Sequence, residues 1–203
     1  MTADLRFGDL ARPGGEIEAR AARLAGGLAA LGVEDGDVVA VMLRNDPAYA
    51  DLIQACRIAG CFYCQINWHF KADEAGFILA DCGARVLIVH EDLLPGVAAA
   101  IPPGTTVIRV RPHAHVCAGY GIADRPVAGG IEYESWLAAQ APYAGPPRAP
   151  RGHMAYTSGT TGRPKGVRRL PVPAGALARQ QALAAQLIRE AFGIGPGART
   201  LVS

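Results

Sequence analysis

Tyr156-Thr157-Ser158-Gly159-Thr160-Thr161-Gly162-Arg163-Pro164-Lys165-Gly166-Val167 is the stretch around which the rest of the chain is organised, and a short apolar run, His153 to Tyr156, feeds it. Glycines let a backbone turn sharply and approach a ligand closely. Successive N–H groups in such a turn form an anion-binding nest. Ser158, Thr160 and Thr161 add hydroxyl donors, and Lys165 adds a compact positive charge suited to phosphate. Lys165 stands out because only it and Lys71 are lysines among 20 basic residues. These features together point to a phosphate cradle rather than a plain surface loop.

With 203 residues, half of them apolar and 19% charged, the chain can bury a sizeable core. A net charge of +2 is too small to suggest a nucleic-acid partner. Met1 to Leu10 lacks a basic cap followed by an apolar run, and no apolar stretch reaches bilayer length, so neither a signal peptide nor a membrane span is expected. Five cysteines without a secretory signal suggest reduced thiols and a cytoplasmic location. Cys61-x-x-Cys64 has no second ligand pair at zinc spacing, and it opens a strand-like run rather than a helix. Both thiols are expected to be buried and free.

Upstream of the quoted stretch, helical and strand-like patterns alternate. Ile17, Ala21, Leu24, Leu28 and Leu31 recur at helical spacing over residues 16–31, with Gly32 as the stop. Asp35-Gly36-Asp37 is a turn signal, and Val38 to Leu43 is a continuous apolar run suited to a strand buried on both faces. Asp46-Pro47 starts a second helix that ends at Gly60. Strands are then expected at 61–66, 85–90 and 106–110, with helices from about Asp73 to Gly83 and from Leu93 to Ala100. This alternation predicts an α/β fold with a layered parallel, or mixed, sheet flanked by helices. Ligands in such folds bind beyond the carboxyl ends of the strands, where the Ser/Thr/Gly loop would leave its own strand, Met154 to Thr157. Residues 111–150 carry six prolines and read as a long ordered excursion with one helix over 132–140. A helix is expected from Ala174 to Phe192, and a strand-like start at Thr200 to Ser203.

The nucleotide-triphosphatase P-loop is excluded residue by residue. Counting from Gly159, its second glycine would fall on Pro164, and Gly166 stands where Ser or Thr should follow the lysine. The stretch instead resembles the T-S-G-T-T-G-x-P-K-G signature of the adenylate-forming superfamily (acyl-CoA synthetases, luciferases and peptide-synthetase adenylation domains), with every fixed position matched. From about Ile17 onward other blocks are similar too, including Gly36-Asp37-Val38-Val39-Ala40 and Ile78-Leu79-Ala80-Asp81-Cys82-Gly83-Ala84-Arg85. Gln65 stands where the family usually has proline, and no histidine follows shortly after the signature.

The resemblance implies an AMP-forming acid–thiol ligase using ATP, Mg²⁺ and coenzyme A. Thr157, Ser158, Gly159, Thr160, Thr161, Gly162, Pro164, Lys165 and Gly166 would hold the β- and γ-phosphates. Lys165 would offset charge on the leaving pyrophosphate. Asn67-Trp68-His69-Phe70 and Arg168-Arg169-Leu170-Pro171 look like acyl-CoA synthetases acting on fatty or steroid/bile-type acids. The family's later adenine, ribose and hinge segments are not among these residues. All 203 residues therefore correspond to the front part of the large N-terminal domain: an alternating layer at 16–110, the excursion at 111–150, and the phosphate loop with its helix at 151–203. Its expected partners are ATP, a carboxylic acid and the remainder of the same enzyme. Alone it is expected not to turn over and, with an uncovered sheet edge and apolar face, to self-associate. Another adenylate-former, or a truncated non-catalytic nucleotide-binding module, are the alternatives.

Overall fold

Residues 3–123, 125–157, 163–168, 174–195 and 197–198 are described by the computed structural model. The chain divides into two units, Met1–Arg169 and Leu170–Ser203. In the first, a hairpin of β1 (Leu5–Phe7) and β2 (Leu10–Arg12) precedes α1 (Gly14–Ala30). β3 (Val38–Met42), α2 (Ala48–Ala59), β4 (Phe62–Gln65), α3 (Ala72–Cys82) and β5 (Ala84–His90) follow. Then come α4 (Leu94–Val97), a 3-10 turn, β6 (Thr106–Val110), α5 (Ala114–Tyr120), β7 (Ile131–Glu132), α6 (Tyr133–Ala138), β8 (Gly152–Thr157) and β9 (Lys165–Val167).

Seven strands form one sheet in the order β7-β6-β5-β3-β4-β8-β9. All neighbours are parallel except β8 and β9. β3 is central, and all five of its residues are buried. Its side chains alternate between two cores: Val39 and Val41 face α1, α2 and α6, while Val38, Ala40 and Met42 face α3 and α4. The continuous apolar run at 38–43 thus has the cause expected for a strand covered on both sides.

Helix ends follow local chemistry. Gly32 (φ 81°) follows the last turn of α1, with Gly32 N–H bonded to Ala29 and Val33 N–H to Leu28, a Schellman closure. Asp46 Oδ1 accepts the Ala48 N–H at 3.0 Å, capping α2, and Gly60 and Gly83 end α2 and α3 in the left-handed conformation.

The 111–150 excursion holds more structure than one helix: α5 and β7 are additional, and α6 is shorter than expected. β1, β2 and β9 were likewise not anticipated. The excursion packs back on the first core, where Tyr143 N–H bonds to Ala22 of α1. In the second unit, α7 (Ala174–Phe192) has the expected bounds, and Leu183, Leu187, Ile188 and Phe192 are exposed on it. The strand-like start at 200–203 lies outside the described residues.

Candidate functional site

β8 runs parallel to β4 with Phe62 opposite Gly152 and Cys64 opposite Met154, and there the ladder stops. Ala155, Tyr156 and Thr157 continue past it, paired only with β9: Ala155 with Val167, Tyr156 with Gly166 and Thr157 with Lys165. The residues flanking the signature's centre, Thr157 and Lys165, therefore end a two-stranded ribbon at the carboxyl edge of the sheet, where α/β folds hold ligands. Thr157 and Lys165 are brought together as the pair that closes the loop, and both are exposed. Pro164, half-buried, precedes Lys165. Ser158, Gly159, Thr160, Thr161 and Gly162 lie outside the described residues. Gly166 has a packing reason as well: a Cβ there would stand 2.5 Å from Met154 Cε and 2.9 Å from Tyr156 Cζ.

The ribbon leans on α3. Tyr156 Oη donates to Asp81 Oδ2 at 2.5 Å, and Arg168 donates to the Cys82 carbonyl at 3.0 Å. Arg163 lies over the Phe77 ring, 5.1 Å from its centroid, and Arg168 over Phe62 at 5.7 Å. Burial, and then the hydrogen bond to Asp81, push the Tyr156 phenol well above the usual tyrosine range.

Other chemistry gathers along the same edge. Arg44, just past β3, lies over both Trp68 and Tyr120, 4.8 and 4.9 Å from their ring centroids, where the two rings meet edge to face, and pairs with Asp92 at 2.9 Å. Buried His90, the last residue of β5, points Nε2 at Asp46 at 3.4 Å. Burial opposes ionisation of Asp46, but the nearby His90 ring and hydrogen bonds from Ala48 N–H and His113 N–H outweigh it and hold the carboxyl below its usual range. A cleft of about 350 Å³ opens beside the ribbon, lined by Gln65, Asn67, Trp68, Tyr120, His153 and Tyr156 among others. Reading the sequence singled out Trp68 only as part of a motif and missed Arg44, His90 and Tyr120. Polar residues at the ends of apolar strands were the available signal for Arg44 and His90, since strand ends are where such folds place function.

Cys61 and Cys64 are buried free thiols, as expected. They belong to the two different cores, on opposite faces of the sheet. Among the described residues, no three His, Cys, Asp or Glu side chains come close enough to hold a metal ion, and no helix is long and apolar enough to cross a membrane.

Residues 14–201 match the family described as AMP-binding enzyme. A feruloyl-CoA synthase from Amycolatopsis is 36% identical over 162 residues, covering 80% of this chain and 29% of its own length. A long-chain-fatty-acid–CoA ligase from Thermus thermophilus is 35% identical over 154 residues, covering 75% of this chain and 26% of its own. The crystal structure of an anthranilate CoA ligase in complex with anthranoyl-AMP superposes with a TM-score of 0.68 at 24% identity, over 89% of this chain and 32% of that one. The chain thus spans about a third or less of the length of these relatives.

Proposed function

The chain belongs to the AMP-binding enzyme family, and on that premise we propose that it is the phosphate-holding front part of an ATP-dependent acid–thiol ligase that acts on a fatty or steroid/bile-type carboxylic acid. The observation that carries this is the pairing of Thr157 with Lys165, which closes the signature loop at the carboxyl edge of the sheet. In the proposed reaction a carboxylate oxygen attacks the α-phosphorus of ATP, which enters with Mg²⁺ as substrate. The bond to the β-phosphate oxygen breaks, giving acyl-adenylate and pyrophosphate. The sulfur of coenzyme A then attacks the acyl carbon, loses its proton and releases AMP. Such chemistry needs positioning and charge neutralisation more than covalent help from the protein.

Within this scheme Thr157, Ser158, Thr160 and Thr161 donate to phosphate oxygens, and Gly159 and Gly162 let the backbone come close. Pro164 stiffens the turn, and Lys165 offsets the charge gathering on pyrophosphate. Gly166 gives the ribbon its close register. Supporting the acyl-CoA ligase over a peptide-synthetase domain is the Asn67-Trp68-His69-Phe70 segment, whose Trp68 shapes the edge beside the ribbon. The chain supplies one side of the site, and the remainder of the enzyme, which the relatives carry, supplies the other. It acts in the cytoplasm, with its thiols reduced.

ATP–pyrophosphate exchange in the complete ligase, run with a panel of fatty, steroid and aromatic acids, tests the proposal. Exchange that depends on a fatty or steroid acid is the expected result. Exchange with amino acids alone, or none with any acid, overturns it.

A further inference from the structure

Resting on the proposed function, we infer that Tyr156 and Asp81 are positioning residues for the nucleotide's phosphates: the Tyr156–Asp81 hydrogen bond fixes the signature ribbon to the end of α3. Neither residue belongs to the phosphate-contacting set, and the case for them is geometric. Past Met154 the ribbon has left the parallel ladder, and among the described residues three residue pairs hold its strands together. An isolated two-stranded ribbon is marginal in water. Thr157 and Lys165, at its tip, would shift with any rocking of the ribbon.

α3 supplies the missing restraint at three points. Tyr156, the residue next to Thr157, reaches Asp81 from one strand. From the other side, Arg168 reaches the Cys82 carbonyl and Arg163 covers Phe77. The Tyr156 bond is the restraint nearest the tip on the β8 side. Gly166 leaves the ring its place: a Cβ there would stand 2.9 Å from Tyr156 Cζ and 3.0 Å from its hydroxyl oxygen, which bonds to Asp81 of α3. Asp81 stands one residue before the end of α3, a helix packed into the core through Ile78, Leu79 and Cys82. A site residue one ångström out of place loses much of its contribution to catalysis, which is why such outer contacts matter.

The test compares Tyr156→Phe, Asp81→Ala and Asp81→Asn in the complete ligase, by steady-state kinetics and by hydrogen exchange at the β9 amides. Tyr156→Phe and Asp81→Ala are expected to lower kcat/KM for ATP about tenfold, with KM for the acid unchanged. Asp81→Asn keeps an acceptor and should recover most of the loss. The double variant Tyr156→Phe/Asp81→Ala should be no worse than either single one. Exchange at the β9 amides that bond to β8 should quicken in the same order. A merely structural role would instead reduce the active fraction, lowering kcat and leaving both KM values alone. That pattern, or unchanged ATP kinetics with unchanged exchange, overturns the inference. If the wild type proves inactive with every acid, the proposed function fails, and β9 exchange still decides the anchor by itself.

Discussion

Lys165 is where charge meets phosphate in the proposed reaction, and it is exposed on an edge strand with no role in either core. Lys165→Ala is therefore expected to slow pyrophosphate exchange about a hundredfold while leaving the melting temperature within a degree or two, as for a lost transition-state donor. An unchanged exchange rate would remove the lysine from the mechanism. Asp46 makes a different kind of prediction. Its carboxyl is held below the usual range, so the stability it adds is present above pH about 4 and is lost as pH falls through its lower folded value. The Tm gap between wild type and Asp46→Ala should be full at pH 6 and should shrink steadily below pH 4. A gap independent of pH would mean that the cap acts without its charge. Both Lys165 and Asp46 were legible in the sequence, one through a motif and the other through the Asp-Pro helix start. Asp51 was not. It is buried beneath Arg12 (3.3 Å), Arg20 (2.8 Å) and the Tyr133 hydroxyl (3.2 Å), partners contributed by three separate segments. Spacing along one element carries no trace of such a network.

Elements were legible in proportion to how much periodic pattern they hold. α1, α2, α3 and the strands from β3 to β6 each show a face or a continuous apolar run, and their expected bounds agree with the structure to within a few residues. β1, β2, β7 and β9 are two or three residues long, too short for a period of two to register. α5 has a single buried side chain, Val116, so it shows no apolar face. The glycine pair in α1 is a subtler case. Gly26 and Gly27 lower helix propensity, yet the helix runs through them. A Cβ on Gly27 would meet the Trp136 ring at 2.6 Å, and one on Gly26 would meet the Ala141 carbonyl at 2.1 Å. The excursion beds directly on this bare helix surface. Gly27→Ala should accordingly destabilise the protein by about 1–3 kcal/mol in urea titration, against the roughly 1 kcal/mol that alanine's propensity favours. A stabilised variant would show that α6 can move aside at no cost.

For the whole molecule, the α/β class and the parallel sheet with one antiparallel addition agree with expectation, and the family followed from a single stretch. What remained hidden was the order of strands, because no local pattern states that β8 belongs beside β4 rather than beside β7. The isolated 203-residue chain is expected to associate, since β9 is an edge strand and α7 exposes Leu187 and, most of all, Phe192. Light scattering should report mass rising with concentration, and Leu187→Glu with Phe192→Glu should lower it. A monomer at high concentration would contradict this.

That strand order also has a kinetic meaning. β3 to β6 join through short crossovers, so this part of the sheet can assemble from neighbouring segments of chain. β7 then adds at one margin, whereas β8 adds at the other, with Phe62 waiting for Gly152. Closing so distant a contact is entropically slow, and during synthesis on the ribosome it comes after the inner strands have emerged. The signature ribbon is thus expected to be the last part of the sheet to form, and in the proposed function nucleotide binding would be a late event in the folding of the chain.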